Sequence, residues 1–238
     1  MDTMLFVNVV ITSLFTIVFP FVLIFWFFKT YKKSWKLVGI GAGLYALLYA
    51  ILSVIIIANL ELFDFFTIFL AGVIPGVFAG FLEEILRMFS WRYLLKKYVN
   101  WENAVLFGIG WGGIESILDG ISSLYVFFLG LGYNSLGGNT IHDFVFIWGA
   151  DNIIAVLAQI ALTILICQVI LQRRKIFFIY ALVFHLGHNI IISFIQNLIL
   201  IGIIYWEFIL CLSLYIIMHY EKEGKLRKIK DQIRAELR

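Results

Sequence analysis

Seven long apolar stretches set the tightest limit on what this chain can fold into. They run roughly over Met4–Phe28, Leu37–Leu60, Phe65–Tyr93, Trp101–Gly130, Phe144–Leu171, Ile176–Phe194 and Leu198–Met218. A helix needs about 20 predominantly apolar residues to cross the hydrocarbon of a bilayer. Inside lipid the backbone must satisfy its own hydrogen bonds, so a spanning segment of that length is a helix. With 63% of its 238 residues hydrophobic, the chain lies outside the range of soluble globular domains. The net charge is only +3, and nothing in its placement suggests a nucleic-acid partner. The sequence predicts an all-α, polytopic membrane protein of about seven transmembrane helices, with the lipid bilayer as its surroundings.

The polar links between the stretches give an orientation. Lys29, Lys32, Lys33 and Lys36 follow the first stretch, the acidic ELFDF at 61–65 follows the second, and Arg92, Lys96 and Lys97 follow the third. Link 131–143 has no Lys or Arg, Arg173, Arg174 and Lys175 follow the fifth stretch, and an uncharged link holds Gln196 and Asn197. EKEGKLRKIKDQIR comes last. Basic and non-basic links alternate, so the positive-inside rule places the N-terminus outside and the C-terminus in the cytoplasm. The first stretch lacks a basic leader region and is too long for a signal peptide's apolar core, so it reads as a retained span. Residues 1–219 are expected to form one transmembrane helical domain and 220–238 a charged cytoplasmic tail, a short solvated helix. Cys167 and Cys211 both fall in apolar runs with no metal-ligand spacing and are expected to be buried packing residues. Pro75 and Gly76 predict a break or kink in the third helix.

Against this background the segment GFLEEILR at 80–87 stands out. Ionisable residues within spans are costly and usually face the interior of a bundle. At about 1.5 Å per residue from the cytoplasmic boundary, Glu83 and Glu84 lie roughly 18–20 Å deep, and Trp111 and Glu115 about 15 and 21 Å. Gln159 comes out at about 21 Å, and His185 and Asn189 at about 15 and 21 Å. Polar positions on four spans therefore share one slab of the membrane. Arg87 is i,i+4 from Glu83 and i,i+3 from Glu84, so it can pair with either. One carboxylate would be held charged by Arg87, leaving the other as a general base. In HLGHN, His185 and Asn189 share a face with His188 close by, and the glycines of GIGWGGIES let a neighbouring helix approach Trp111 and Glu115.

Structural roles compete with each of these. The Glu83/Glu84/Arg87 group can be an ion-pair network that locks helices, His185 a helix–helix hydrogen bond, and Glu115 a partner for Arg87. His142 and Asp143 read as loop residues, and Glu207 finds no partner.

The residues EEILR at 83–87, FGIGWGGIE at 107–115 and the later HxxxN at 185–189 resemble the YhfC family of intramembrane proteases, related to the CAAX-processing endopeptidase and bacteriocin-processing superfamily. The resemblance covers roughly residues 65–195, a protease-like core. It implies a multi-pass protein of the bacterial plasma membrane that hydrolyses membrane-embedded or membrane-proximal peptides with a Glu-activated water. It implies Glu83 and Glu84 as the catalytic pair with Arg87 as partner, Glu115 as the acidic end of its motif, and His185 with Asn189 as the oxyanion pair. Trp111 and Gln159 depart from the pattern, standing where histidines are expected. Indole accepts no proton and ligates no metal. Two imidazoles fewer make zinc less expected than a metal-free site; if present, its ligands would be Glu84, His185 and His188. The same departures support an alternative, an inactive pseudoprotease that binds a membrane-inserted peptide or transmembrane protein as a transporter, sensor or immunity subunit.

Overall fold

The computed structural model describes residues 3–31, 35–58, 68–128, 139–195 and 199–236. Among them the chain forms seven α-helices and no strand. They are α1 (Thr3–Tyr31), α2 (Lys36–Ala58), α3 (Ile68–Phe89), α4 (Trp101–Phe128), α5 (Asn139–Gln172), α6 (Ile176–Ile195) and α7 (Ile199–Glu236), with a π-helical turn, Ser90–Leu94, extending α3. Five of the helices contain segments long and apolar enough to cross a membrane, α6 has a shorter apolar segment, and α3 carries Glu83, Glu84 and Arg87. The surface fits a bilayer. Phe15, Phe21, Phe25, Val54, Val183, Phe208 and Met218 are exposed, whereas Glu83, Glu84, Arg87, Gln159 and Gln168 are buried. A water-soluble protein distributes its residues the other way.

Three boundaries differ from the sequence reading. Helix α5 begins at Asn139, so His142 and Asp143 belong to a helix rather than a loop; their side chains lie outside the described residues. No proline interrupts that segment, and the backbone of a membrane helix gains by continuing its hydrogen bonding. Helix α7 runs unbroken from the apolar segment into the charged residues after 219. Helix α3 is continuous through Pro75, and the irregular turn comes after the charged cluster instead. There Leu95 N–H reaches back to Ser90 O at 2.8 Å, the i→i+5 bond of a π turn.

The chain divides into two compact units, residues 1–46 with 106–159, and residues 47–105 with 160–238. In the first, α4 contacts α1, α2 and α5. Ser116 Oγ donates to Thr16 O of α1 at 2.9 Å. Gly110 abuts α2 so closely that a Cβ there would overlap the Val38 carbonyl and stand 2.8 and 2.9 Å from Val38 C and Cα. Those are backbone atoms that cannot rotate away. Gly110→Ala is expected to destabilise the protein by about 1–3 kcal/mol, the usual cost of overpacking. Gly39→Ala on α2, with nothing near its would-be Cβ, is the control; thermal unfolding in detergent should show a lowered midpoint for the first variant only.

In the second unit, Asn100 caps α4 by accepting the Asn103 N–H at 2.9 Å, the usual N-cap bond to the third helical residue. Arg173 has φ 55°, the left-handed geometry that ends many helices, and it turns α5 into α6. Helix α6 packs between α3 and α7. Cys167 is buried, but Cys211 is exposed on α7, contrary to the expectation for both.

Candidate active site

The close approach of α3 and α6 sets up the cluster. Gly76, Gly80, the adjacent pair Glu83 and Glu84, and Arg87 follow one another at intervals of three to four residues, which puts them on one side of α3. A Cβ on Gly80 would stand 2.9 Å from Asn189 Nδ2, 3.2 Å from Leu186 Cδ2 and 3.4 Å from His185 Cδ2, so the glycine admits α6 at this level. Asn189 Nδ2 donates to Gly76 O at 2.7 Å, fastening one helix to the other. One turn away, His185 Nδ1 lies 2.7 Å from Glu84 Oε1. A carboxylate only accepts, so the ring nitrogen is the donor.

Glu84 Oε1 also accepts from Arg87 Nη1. Glu83 Oε2 stands 3.8 Å from Arg87 Nη2 and 3.9 Å from His185 Nε2. Glu84 and Arg87 are 0% exposed, His185 5% and Glu83 6%. A fully buried guanidinium against two carboxylates is stable only as a well-bonded group. With a doubly protonated His185 the four side chains sum to zero charge. Glu84 Oε2 is buried with no hydrogen-bond partner among the described residues, a position where a donor from water or from a peptide N–H would be satisfied.

His188 joins a separate aromatic group on the α7 side. Its Nδ1 is 3.0 Å from Tyr205 Oη, and its ring stacks on Tyr205 and meets Trp206 edge-on at centroid distances of 5.8 and 5.3 Å. Tyr205 carried no signal in the sequence beyond its place in an apolar run.

The other candidates lie in the first unit. Gln159 Nε2 donates to Glu115 Oε2 at 2.7 Å. A Cβ on Gly112 would approach Gln159 Cβ to 2.8 Å, so the small residue of α4 makes room for this pair. Trp111 is fully buried, stacked on Phe107 at 5.7 Å and edge-on to Tyr45 at 5.6 Å.

A profile of the YhfC intramembrane metalloprotease family matches residues 15–136. The chain belongs to this family. The matched region contains Glu83, Glu84, Arg87, Trp111 and Glu115 and stops before Gln159, His185 and Asn189. The chain is also similar to the uncharacterized membrane protein YhfC of Bacillus subtilis (strain 168), 27% identical over 141 residues, which are 50% of this chain and 55% of the relative. It thus spans about half the length of the curated relative it matches. No solved structure matches it. Apolar helices and family together make this a multi-pass protein of bacterial membranes.

The family's description as metalloproteases makes zinc the metal to test against these residues. Zinc takes Asp, Glu, His or Cys donors at about 2.0–2.3 Å, converging tetrahedrally. Among the described residues no group of three or more such side chains is arranged that way. Glu84 and His185 are bonded to each other, Arg87 is the cation already set against Glu84, and His188 Nδ1 is taken up with Tyr205. In this arrangement the residues do not fit a zinc ion.

Proposed function

We propose that this protein is an intramembrane protease that cleaves membrane-inserted or membrane-proximal peptides with a water activated by Glu83. The observation that carries the reading is the arrangement around Glu84, whose Oε1 accepts from both Arg87 and His185. That leaves Glu84 as the anchor of the site, and Glu83 as the carboxylate that exchanges the proton. A water within about 2.8 Å of Glu83 Oε2 also lies within reach of His185 Nε2. It gives its proton to Glu83 while its oxygen bonds the scissile carbonyl carbon. His185, held by Glu84, donates from Nε2 to the developing oxyanion. The C–N bond then breaks and the proton on Glu83 passes to the leaving nitrogen. Asn189 binds α6 to α3 through Gly76 and so positions His185. Residues on α3 and α6 then supply the whole proton circuit, with a cytoplasmic C-terminus and entry of water from that side.

A second reading has its own support. Trp111 fills its position with packed aromatic surface, and Gln159, at a place where the family resemblance leads one to expect a histidine, donates to Glu115. In this pseudoprotease reading the chain binds a transmembrane peptide without cutting it.

One experiment separates them. Purified protein in liposomes, with a library of membrane-inserted peptides and with chelator present, is assayed for new amino termini beside Trp111→His. Cleavage by the unaltered protein supports the first reading. Cleavage by Trp111→His alone, raised at least about 100-fold as for a restored acid–base group, supports the second. Cleavage by neither rejects the metal-free protease reading for both forms.

A further inference from the structure

Helix α7 has one buried stripe with an alternating spacing of three and four residues and a broad exposed face opposite it. Gly202, Trp206, Ile209, Ser213, Ile216 and Tyr220 form the buried stripe. On the exposed face Ile204, Glu207, Cys211, Leu214 and Met218 repeat the spacing and are all exposed, with Ile201, Phe208 and Tyr215 exposed beside them; the line is marked out by Glu207. Such a 3-4 repeat is the seam along which parallel helices supercoil.

Glu207 is the anomaly in the outer seam. It lies about 12 Å along the helix from Ile199 and about 21 Å from Glu221, at 1.5 Å per residue. That puts its carboxyl well inside a hydrocarbon layer about 30 Å thick. No hydrogen bond or ion pair to it occurs among the described residues. Carboxyl groups at such depth ordinarily face other protein rather than lipid.

We infer that the outer seam of α7 is a homodimer interface, in which Glu207 pairs with Glu207 of a second copy. Two copies in one membrane share their orientation, so a two-fold axis along the membrane normal brings each seam residue to its own counterpart at equal depth. A protonated carboxyl has one donor and an acceptor oxygen, so two of them satisfy each other with two hydrogen bonds. No other seam residue offers such a pair in lipid, where apolar contact alone drives little association. A single polar residue in such a seam also fixes register and the number of strands. The proposal is independent of the catalytic reading.

Cys211, one turn from Glu207 in the same seam, supplies the test, because Cys167 is buried. Native membranes containing the full chain are oxidised briefly, and disulfide-linked dimer is measured over time. Ile203→Cys combined with Cys211→Ser gives the collision background from an exposed position beside the seam. Cys211 should cross-link faster than that background. Glu207→Leu, which suits lipid and should insert normally, should slow the linkage about tenfold. Glu207→Gln, which keeps a donor and an acceptor, should preserve it. Cross-linking at the background rate, or equal rates in the unaltered protein and Glu207→Leu, overturns the proposal.

Discussion

Replacing Arg87 by Met should lower unfolding stability by about 3–5 kcal/mol, the range for removing one partner of a buried ion pair. The change deletes a 0% exposed guanidinium bonded to Glu84 and near Glu83. Met fills similar volume, so the loss comes from charge rather than from a cavity. Two carboxylates would remain beside His185 in low dielectric with one of their two countercharges gone. Adding Glu84→Gln to Arg87→Met removes one of those charges, while the amide oxygen still accepts from His185. The double variant should recover more than half of the loss. Unfolding of both variants in micelles, followed by circular dichroism, gives the comparison. A neutral Arg87→Met would mean that Arg87 does not hold the cluster together.

The helices were legible because lipid enforces long apolar runs, and that pattern survives any packing arrangement. The centre of the candidate site was legible as a cluster for a different reason. Glu83, Glu84 and Arg87 are close through helical spacing alone, and depth counting placed His185 at a similar level on another span. What spacing cannot give is the partner chosen across two helices. The sequence placed Gln159 and Glu115 in one slab without pairing them, yet they bond at 2.7 Å. Asn189 read as an oxyanion group, whereas its amide donates to Gly76 O. Pro75 and Gly76 read as the source of a kink, whereas Gly76 and Gly80 are the surface on which α6 rests. Tyr205 was invisible because a tyrosine in an apolar run has no distinguishing pattern until His188 is set against it. In each case the missing information was the rotation of one helix against its neighbour, which is set by packing of small residues rather than by periodicity.

The division of labour proposed for the adjacent glutamates leads to the most direct test of the chemistry. Glu83→Gln should reduce peptide cleavage by about 100- to 10,000-fold, the contribution of a positioned general base, with a smaller loss of unfolding stability than Glu84→Gln, because Glu83 stands farther from Arg87 and His185. An amide at that position fills the same space, yet its oxygen is too weak a base to take a proton from water. Glu84→Gln should lower both cleavage and stability, since it weakens the acceptor shared by Arg87 and His185. A base acts only in the reaction, whereas an anchor acts in the folded state as well. Cleavage assays and micelle unfolding on the same preparations therefore distinguish them. If Glu84→Gln instead loses cleavage with its stability intact, while Glu83→Gln remains active, the two roles are reversed. Glu84 Oε2, buried and without a partner among the described residues, would then be the oxygen that receives the proton.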